Sequence, residues 1–302
     1  MDKLIVVVGS TNTDMVVRAD HIPAPGETIL GGTFFMNPGG KGANQAVAAA
    51  RLGGNVTFIC KTGQDIFGKD TLQLFQKEGI NTESIISDSQ YPSGVALITV
   101  SKDAENSIVV APGANAALRK EEIEKVRTTI IEKADIVLMQ LEIPMEVVEY
   151  TALLAHSKNI KVILNPAPAC RLSEELLKNV DIITPNETEA ALLTGVEVTD
   201  IETAKEAAKQ LFEKGVKTVI ITLGSKGALV YNKNEFNLVP AQKVEAVDTT
   251  AAGDVFNGAL AAALTEDKNM LEAVEFACKA SAISVTRFGA QASAPYKNEI
   301  DK

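Results

Sequence analysis

Asp254 follows the small residues Ala251, Ala252 and Gly253 inside the stretch DTTAAGDVFNGA, 248–259, and that order of residue types suits phosphate-transfer chemistry. Small side chains at a helix start leave backbone N–H groups and the positive helix end free to face an anion. A carboxylate directly after them lies within reach of the group that receives the anion. The apolar spacing from Val255 to Thr265 predicts the helix that mounts it. These residues alone fit a plain core helix capped by Asp248 or Thr249 equally well.

Other stretches carry comparable chemistry. NPGGKGANQAVAAARLGG, 37–54, places Gly40, Lys41 and Asn44 ahead of an Ala-rich helix expected from about Ala43 to the Gly53-Gly54 stop. A phosphate-binding P-loop is excluded, because Gly42 follows Lys41 where Ser or Thr is required and no glycine stands five residues before Gly40. The glycines instead suit close backbone approach to a small polar ligand, or ordinary helix-start chemistry. In PNETE, Asn186 and Glu189 are three apart and share a helix face. They fit a hydrated Mg²⁺ beside phosphates and, equally, an Asn cap with its capping-box Glu. TLGSKG, 222–227, reads as a turn between strands that also receives a nucleotide, and TRFGAQAS, 286–293, as a glycine-containing loop of carbonyl ligands.

The elements that position these residues follow an alternating rhythm. Leu4–Val8 is an apolar run ending at Gly9, as in a strand buried on both faces of a parallel sheet. Asn12 and Asp14 lie just past it, where open α/β sheets place ligand contacts and where a polar turn is the simpler alternative. Strands follow at VTFIC, 135–139, 161–165, 180–184 and 218–222. Helices are expected at 68–77, 119–132, 145–157, 187–194, 200–214 and 270–285. This predicts an α/β fold, a doubly wound, mostly parallel central sheet with helices on both faces. Polar residues collect at strand ends: Gln140 and Glu142, Asn165, Asn186 and Glu189, Thr222 and Gly224.

Two hairpins interrupt the rhythm. MVVRA and TILGGTFFM flank HIPAPGE, and VALITVS and NSIVVAP flank KDAE, with no helix inside either pair. The expected organisation is one large α/β domain over 1–302, with hairpins from about 14–36 and 93–112 forming a small β-sheet lid. Such a lid covers a site or pairs with another subunit.

Composition excludes several classes. A net charge of -10 and no basic patch argue against nucleic-acid and anionic-membrane partners. No segment reaches the ~18 apolar residues of a membrane span, and the amino terminus lacks signal-peptide character, so a cytoplasmic location is expected. Cys60, Cys170 and Cys278 are odd in number and far apart, which suits neither a disulfide framework nor a zinc site. His21 and His156 are too isolated for a His-based metal site.

Together GSTNTD, NPGGKGANQAVAAARLGG, PNETE, TLGSKG and DTTAAGD resemble, in order from Gly9 to Ser293, the ribokinase-like carbohydrate kinase family. The resemblance implies an ATP-dependent sugar kinase that phosphorylates D-ribose at its 5-hydroxyl to ribose 5-phosphate. A family kinase for fructose, another pentose or a nucleoside, and a non-catalytic sugar-binding regulator, are the alternatives. It implies Asp254 as general base, with Ala251, Ala252, Gly253 and Asp254 forming an anion hole. Asn12, Asp14, Gly40, Lys41, Asn44 and Glu142 would bind the sugar. Asn186 and Glu189 would organise Mg²⁺ and phosphates, and Thr222, Gly224, Ser225, Gly227 and Gly253 would line the nucleotide site. Cys278 falls where relatives present a more polar residue near the adenine. A monovalent cation, K⁺ or similar, would sit among Asp248, Thr250, Ser284, Arg287, Gly289 and Ser293. The family also implies a homodimer joined through the lid.

Overall fold

The structure, a computed structural model, describes residues 3–103 and 105–300. Its centre is an eight-stranded sheet. The strand order is Glu235–Val239, Ala228–Asn232, Thr218–Thr222, Ile182–Ile183, Lys161–Leu164, Ile136–Met139, Leu4–Val8, Asn55–Ile59. Pairing is parallel from Asn55–Ile59 across to Thr218–Thr222, and the last two strands close antiparallel. Leu4–Val8 shows why its run is apolar throughout. Ile5 and Val7 enter one core cluster, while Val6 and Val8 enter the other on the opposite face. The first cluster packs beneath the helices Lys41–Arg51, Ala252–Thr265 and Met270–Ser284, and the second beneath Met145–Ser157 and Ile201–Glu213.

Both irregular strand pairs form, and they join. Asn12–Arg18 pairs antiparallel with Thr33–Gly39, Gly94–Val100 pairs antiparallel with Asn106–Ala111, and a parallel ladder between Asn12–Arg18 and Gly94–Val100 makes one four-stranded lid. The strand expected from Thr28 begins only at Thr33, because Gly31 and Gly32 hold φ of 107° and 104° and break extended geometry. It continues through Pro38, which an edge strand tolerates since no ladder needs its missing N–H. Asp14 lies within a strand, opposite Asn37 and Ala96, so the turn alternative for it is set aside.

Other boundaries differ from the sequence reading. The helix expected over 119–132 is only Lys120–Lys125, followed by turns and a 3₁₀ segment, Ile131–Lys133. Val126, Thr128, Thr129 and Ile130 are β-branched and resist helix extension. The strand expected over 180–184 is the two residues Ile182–Ile183. The small pair of Lys61–Gly63 with Ile86–Asp88 and the helix Glu174–Lys178 carried no periodic signal long enough to read. Among the described residues no helix is long and apolar enough to cross a membrane.

Candidate active site

Three turns converge beyond the strand ends. The helix Lys41–Arg51 starts two residues earlier than its alanine run, because Gly40, at φ 88°, and Gly42 let the chain fold onto Gly9–Asn12. A Cβ on Gly40 would meet Asn12 N at 2.8 Å, and one on Gly42 would meet Ser10 N at 2.6 Å. The close approach expected toward a ligand is therefore an approach to the chain's own backbone. It carries Lys41 and Asn44 to the centre, with Ala43 N donating to Ser10 O at 2.9 Å. Glu142 fastens the same junction, its Oε2 accepting from Ser10 Oγ at 2.5 Å and Lys41 N at 3.0 Å.

Asp254 sits 5% exposed in the first turn of Ala252–Thr265. Its Oδ2 accepts from Asn44 Nδ2 and its Oδ1 from Gln45 Nε2, both at 2.9 Å. The helices reach this distance because Gly258 lies against the Lys41–Arg51 backbone, where a Cβ would stand 2.6 Å from Gln45 O. Burial raises the Asp254 carboxyl above its ordinary value, opposed by the Lys41 charge and the two amide donors. Burial also pushes Lys41 toward neutrality, but Asp254, Glu142 and Glu189 outweigh it and keep the ammonium charged. Half-buried Lys41 is the cation among these three carboxylates, so the local balance is net negative, and an incoming phosphate would depend on Lys41, the backbone N–H groups and a bound cation to offset it.

The turn before Asp254 has its own geometry. Ala251 is left-handed at φ 59°, ψ 13°, an uncommon conformation for a residue with a Cβ. One member of the expected anion hole is corrected: Ala252 N is turned into the preceding loop, donating to Thr249 O at 3.2 Å. The N–H groups of Ala251, Gly253 and Asp254 remain for an anion, and a Cβ on Gly253 would meet nothing within 4 Å. Neither Asp248 nor Thr249 caps the helix with its side chain. Asp248 instead accepts from Thr250 N and Gly289 N, each at 2.9 Å, which with Arg18 holds its carboxyl low against the opposing effect of burial.

The remaining expected residues divide. Asn12 and Asp14 stand on the lid strand at the junction. Asn12 Oδ1 accepts from Asn115 Nδ2 at 2.9 Å, and Asp14 faces Gly39, whose missing Cβ makes room for its carboxylate. Burial first, then Glu142, raises Asp14 to about 6. Asn186 and Glu189 form the capping box, at 2.8 and 2.9 Å. Glu189 is nonetheless raised by burial and feels Lys41 and Asp254, so it borders the same site. Asn186 also bridges to Thr222, bringing PNETE and TLGSKG together. Gly224 is open on all sides and Ser225 is exposed, whereas Gly227 is packed against Val239 and the Ala241 N–H, which makes it a structural residue of that turn.

Cys278 lies in the core cluster, where burial raises its thiol to about 11 and keeps it neutral. Ser284 and Ser293 spend their hydroxyls on Ser281 O and Ala290 O, at 2.8 and 2.7 Å, and Arg287 turns to Glu299 at 2.5 Å. Any cation held there would meet Asp248 and main-chain carbonyls. Among the described residues no group of three His, Cys, Asp or Glu side chains is arranged around a metal position.

Comparison with known proteins places this arrangement. The model of the pfkB family of carbohydrate kinases matches residues 2–297. The chain belongs to that family. Within the pfkB family it is 49% identical over 299 residues to a ribokinase of Haemophilus influenzae, covering 99% of this chain and 97% of the relative. The crystal structure of a ribokinase from Thermotoga maritima superposes with a TM-score of 0.90 at 44% identity, covering 99% and 98%. That of an Arabidopsis thaliana ribokinase complexed with ribose and ATP gives 0.92 at 33% identity, with the same coverage.

Sequence reasoning missed Gln45, Thr184, Asn257 and Asn115. Each is a polar residue in an otherwise apolar or small-residue segment, and Asn257 lies three residues after Asp254, on the same helix face. That signal was present in the sequence. Their partners, on other elements, were not.

Proposed function

We propose that this pfkB-family kinase transfers the γ-phosphoryl group of ATP to the 5-hydroxyl of D-ribose, with Asp254 as general base. The observation that carries the assignment is the buried Asp254 carboxylate, oriented by Asn44 and Gln45 at the helix start that also offers the anion site. Asp254 takes the proton from the sugar hydroxyl as its oxygen attacks phosphorus, and a carboxyl raised by burial is a stronger base for that step. The N–H groups of Ala251, Gly253 and Asp254 stabilise the charge that develops on the transferring oxygens. Lys41 adds a fixed positive charge beside them.

Asn12, Asp14, Gly40, Lys41, Asn44 and Glu142 are assigned to the sugar. Among the described residues Asn44 Oδ1 is buried without a partner, and both donors to Glu142 fall on Oε2. A sugar rich in hydroxyl donors meets these acceptors better than an apolar base would. Thr222, Gly224, Ser225, Gly253 and the neighbourhood of Cys278 are assigned to ATP.

Mg²⁺, when bound, neutralises phosphate charge, and Asn186 and Glu189 fit it through its waters because one carboxylate oxygen of the capping box is not committed. Asp248, held ionised, and the carbonyls of the 284–293 loop are hard oxygen donors that fit a K⁺-like activator. The lid is assigned two roles, covering the sugar with its Asp14 face and joining two copies through the opposite face.

The test is ADP release with ribose, fructose and adenosine, for the native chain and Asp254→Asn. Ribose turnover abolished by the substitution is expected. Turnover with another acceptor alone would move the substrate, intact turnover in Asp254→Asn would remove the base, and sugar binding without turnover would favour a regulator.

A further inference from the structure

The catalytic carboxylate is one station in a longer path of buried polar side chains. Gln140 Nε2 donates to Gln45 Oε1 at 2.6 Å. Gln45 Nε2 donates to Asp254 Oδ1 at 2.9 Å and to Asn165 Oδ1 at 3.0 Å. Asn165 Nδ2 reaches Thr184 O at 3.3 Å, Thr184 Oγ1 donates to Asn257 Oδ1 at 2.6 Å, and Asn257 Nδ2 donates to Gly253 O at 2.8 Å. The path leaves Asp254 and returns to the residue before it. All six side chains on it are buried.

We propose that Gln45, Asn165, Thr184 and Asn257 are positioning residues that act as one unit, fixing the Asp254 carboxylate and the Gly253 peptide relative to each other. The inference rests on the kinase reading above, and it adds that base and anion site are aligned by a single closed ring. The amide orientations are mutually determined. Rotating the Gln45 amide would set its oxygen against Asp254 and Asn165 and its nitrogen against the Gln140 donor.

Burying six polar side chains gives little net stability over an apolar core of equal volume, so their value is in specifying one geometry. The geometry in question is the one phosphoryl transfer depends on. Gly253 O held by Asn257 orients the peptide that ends in the Asp254 N–H, while Gln45 orients the Asp254 side chain. A general base and an anion site held in fixed relation by one ring meet the sugar hydroxyl and the phosphoryl group already aligned with each other.

The test uses the full chain with Gln45→Met, Asn257→Leu, the double variant, and Thr184→Val, assayed with ribose and ATP. Each single substitution is expected to lower kcat about 10- to 100-fold, as small misplacements of reacting groups do. KM for both substrates should change less than about threefold, since none of Gln45, Asn165, Thr184 and Asn257 is assigned a substrate contact. The double variant should lose scarcely more than the worse single one, which independent structural damage would not produce. Unchanged kcat in folded Gln45→Met and Asn257→Leu, or losses that simply add, overturns the ring. If those variants fail to fold, Thr184→Val decides by the same split between kcat and KM, because it removes one hydroxyl at nearly constant shape. A native chain that turns over no sugar overturns the kinase reading itself, whereas native turnover with unaffected variants overturns the ring alone.

Discussion

Asn44 donates to Asp254 Oδ2 at 2.9 Å while its own Oδ1 is buried with no partner among the described residues. A buried acceptor without a donor is costly, and a bound sugar hydroxyl relieves that cost. Asn44→Ala is therefore expected to raise KM for ribose about 5- to 100-fold, the range of one hydrogen bond to a buried group. It should also lower kcat through the lost hold on Asp254. Steady-state kinetics check both, and an unchanged KM would place the sugar elsewhere.

Asp14 sets a pH dependence with opposite signs for stability and binding. Below about 3.8 it is protonated in both folded and unfolded chains. Between 3.8 and about 6 the unfolded chain ionises while the folded one keeps its proton, so this group's contribution to stability falls as pH rises. Above 6 the deficit is full, about 3 kcal/mol. Asp14→Asn is expected to raise the denaturation midpoint at pH 8 and to do so less at pH 5. The ionised carboxylate is the better acceptor for sugar hydroxyls, so KM for ribose in the native chain should fall as pH rises through about 6. Asp14→Asn should flatten that profile.

Gly258 is where the helices Lys41–Arg51 and Ala252–Thr265 touch. Alanine there would gain about 1 kcal/mol of helix propensity. Its Cβ would stand 2.6 Å from Gln45 O and 2.8 Å from Ala49 N, backbone atoms that move only if the helices separate. Overpacking of that kind costs about 1–3 kcal/mol. The expected outcome for Gly258→Ala is a net loss of stability in urea titration with a fall in kcat, as Gln45 is drawn from Asp254.

Ala251 holds φ 59° at the turn before the anion site. A left-handed alanine costs about 1–2 kcal/mol, and glycine removes that strain while adding about 0.4–1 kcal/mol of unfolded-state entropy. Ala251→Gly should leave stability unchanged or slightly raised with turnover retained. Ala251→Val, β-branched in the same conformation, should lose both. Equal stability of the two variants would mean that the left-handed turn is not maintained.

The lid presents an apolar row directly across its ladders, Met36, Met15, Leu97 and Val109, with Phe34 and Val17 beside it. Met36, Leu97, Val109 and Phe34 are each more than half exposed, an apolar face of the kind that marks association. Alternation puts Asp14, Ala96 and Val110 on the other side, the face proposed above to cover the sugar. Leu97→Glu with Val109→Glu is expected to give a monomer in sedimentation while the native chain sediments as a dimer. A monomeric native chain would remove the proposed assembly.

By itself the sequence determined the parallel sheet and both irregular strand pairs, since buried strands demand continuous apolar runs and a hairpin has no room for a helix. It also determined that the small-residue turn opens a helix with Asp254 in its first turn, because helix-start chemistry is local. Tertiary structure alone decided which amides hold that carboxylate. Gln45 and Asn257 are far apart in sequence from each other, and only the close approach of two helices at Gly258 brings them to one site. It likewise decided that the two hairpins are one lid, through a parallel ladder between Asn12–Arg18 and Gly94–Val100 that no local pattern encodes. The early end of the helix expected over 119–132 has instead a local cause, the β-branched run Val126, Thr128, Thr129 and Ile130. Side-chain partners are chosen by proximity in the fold, and proximity is not a property of spacing along the chain.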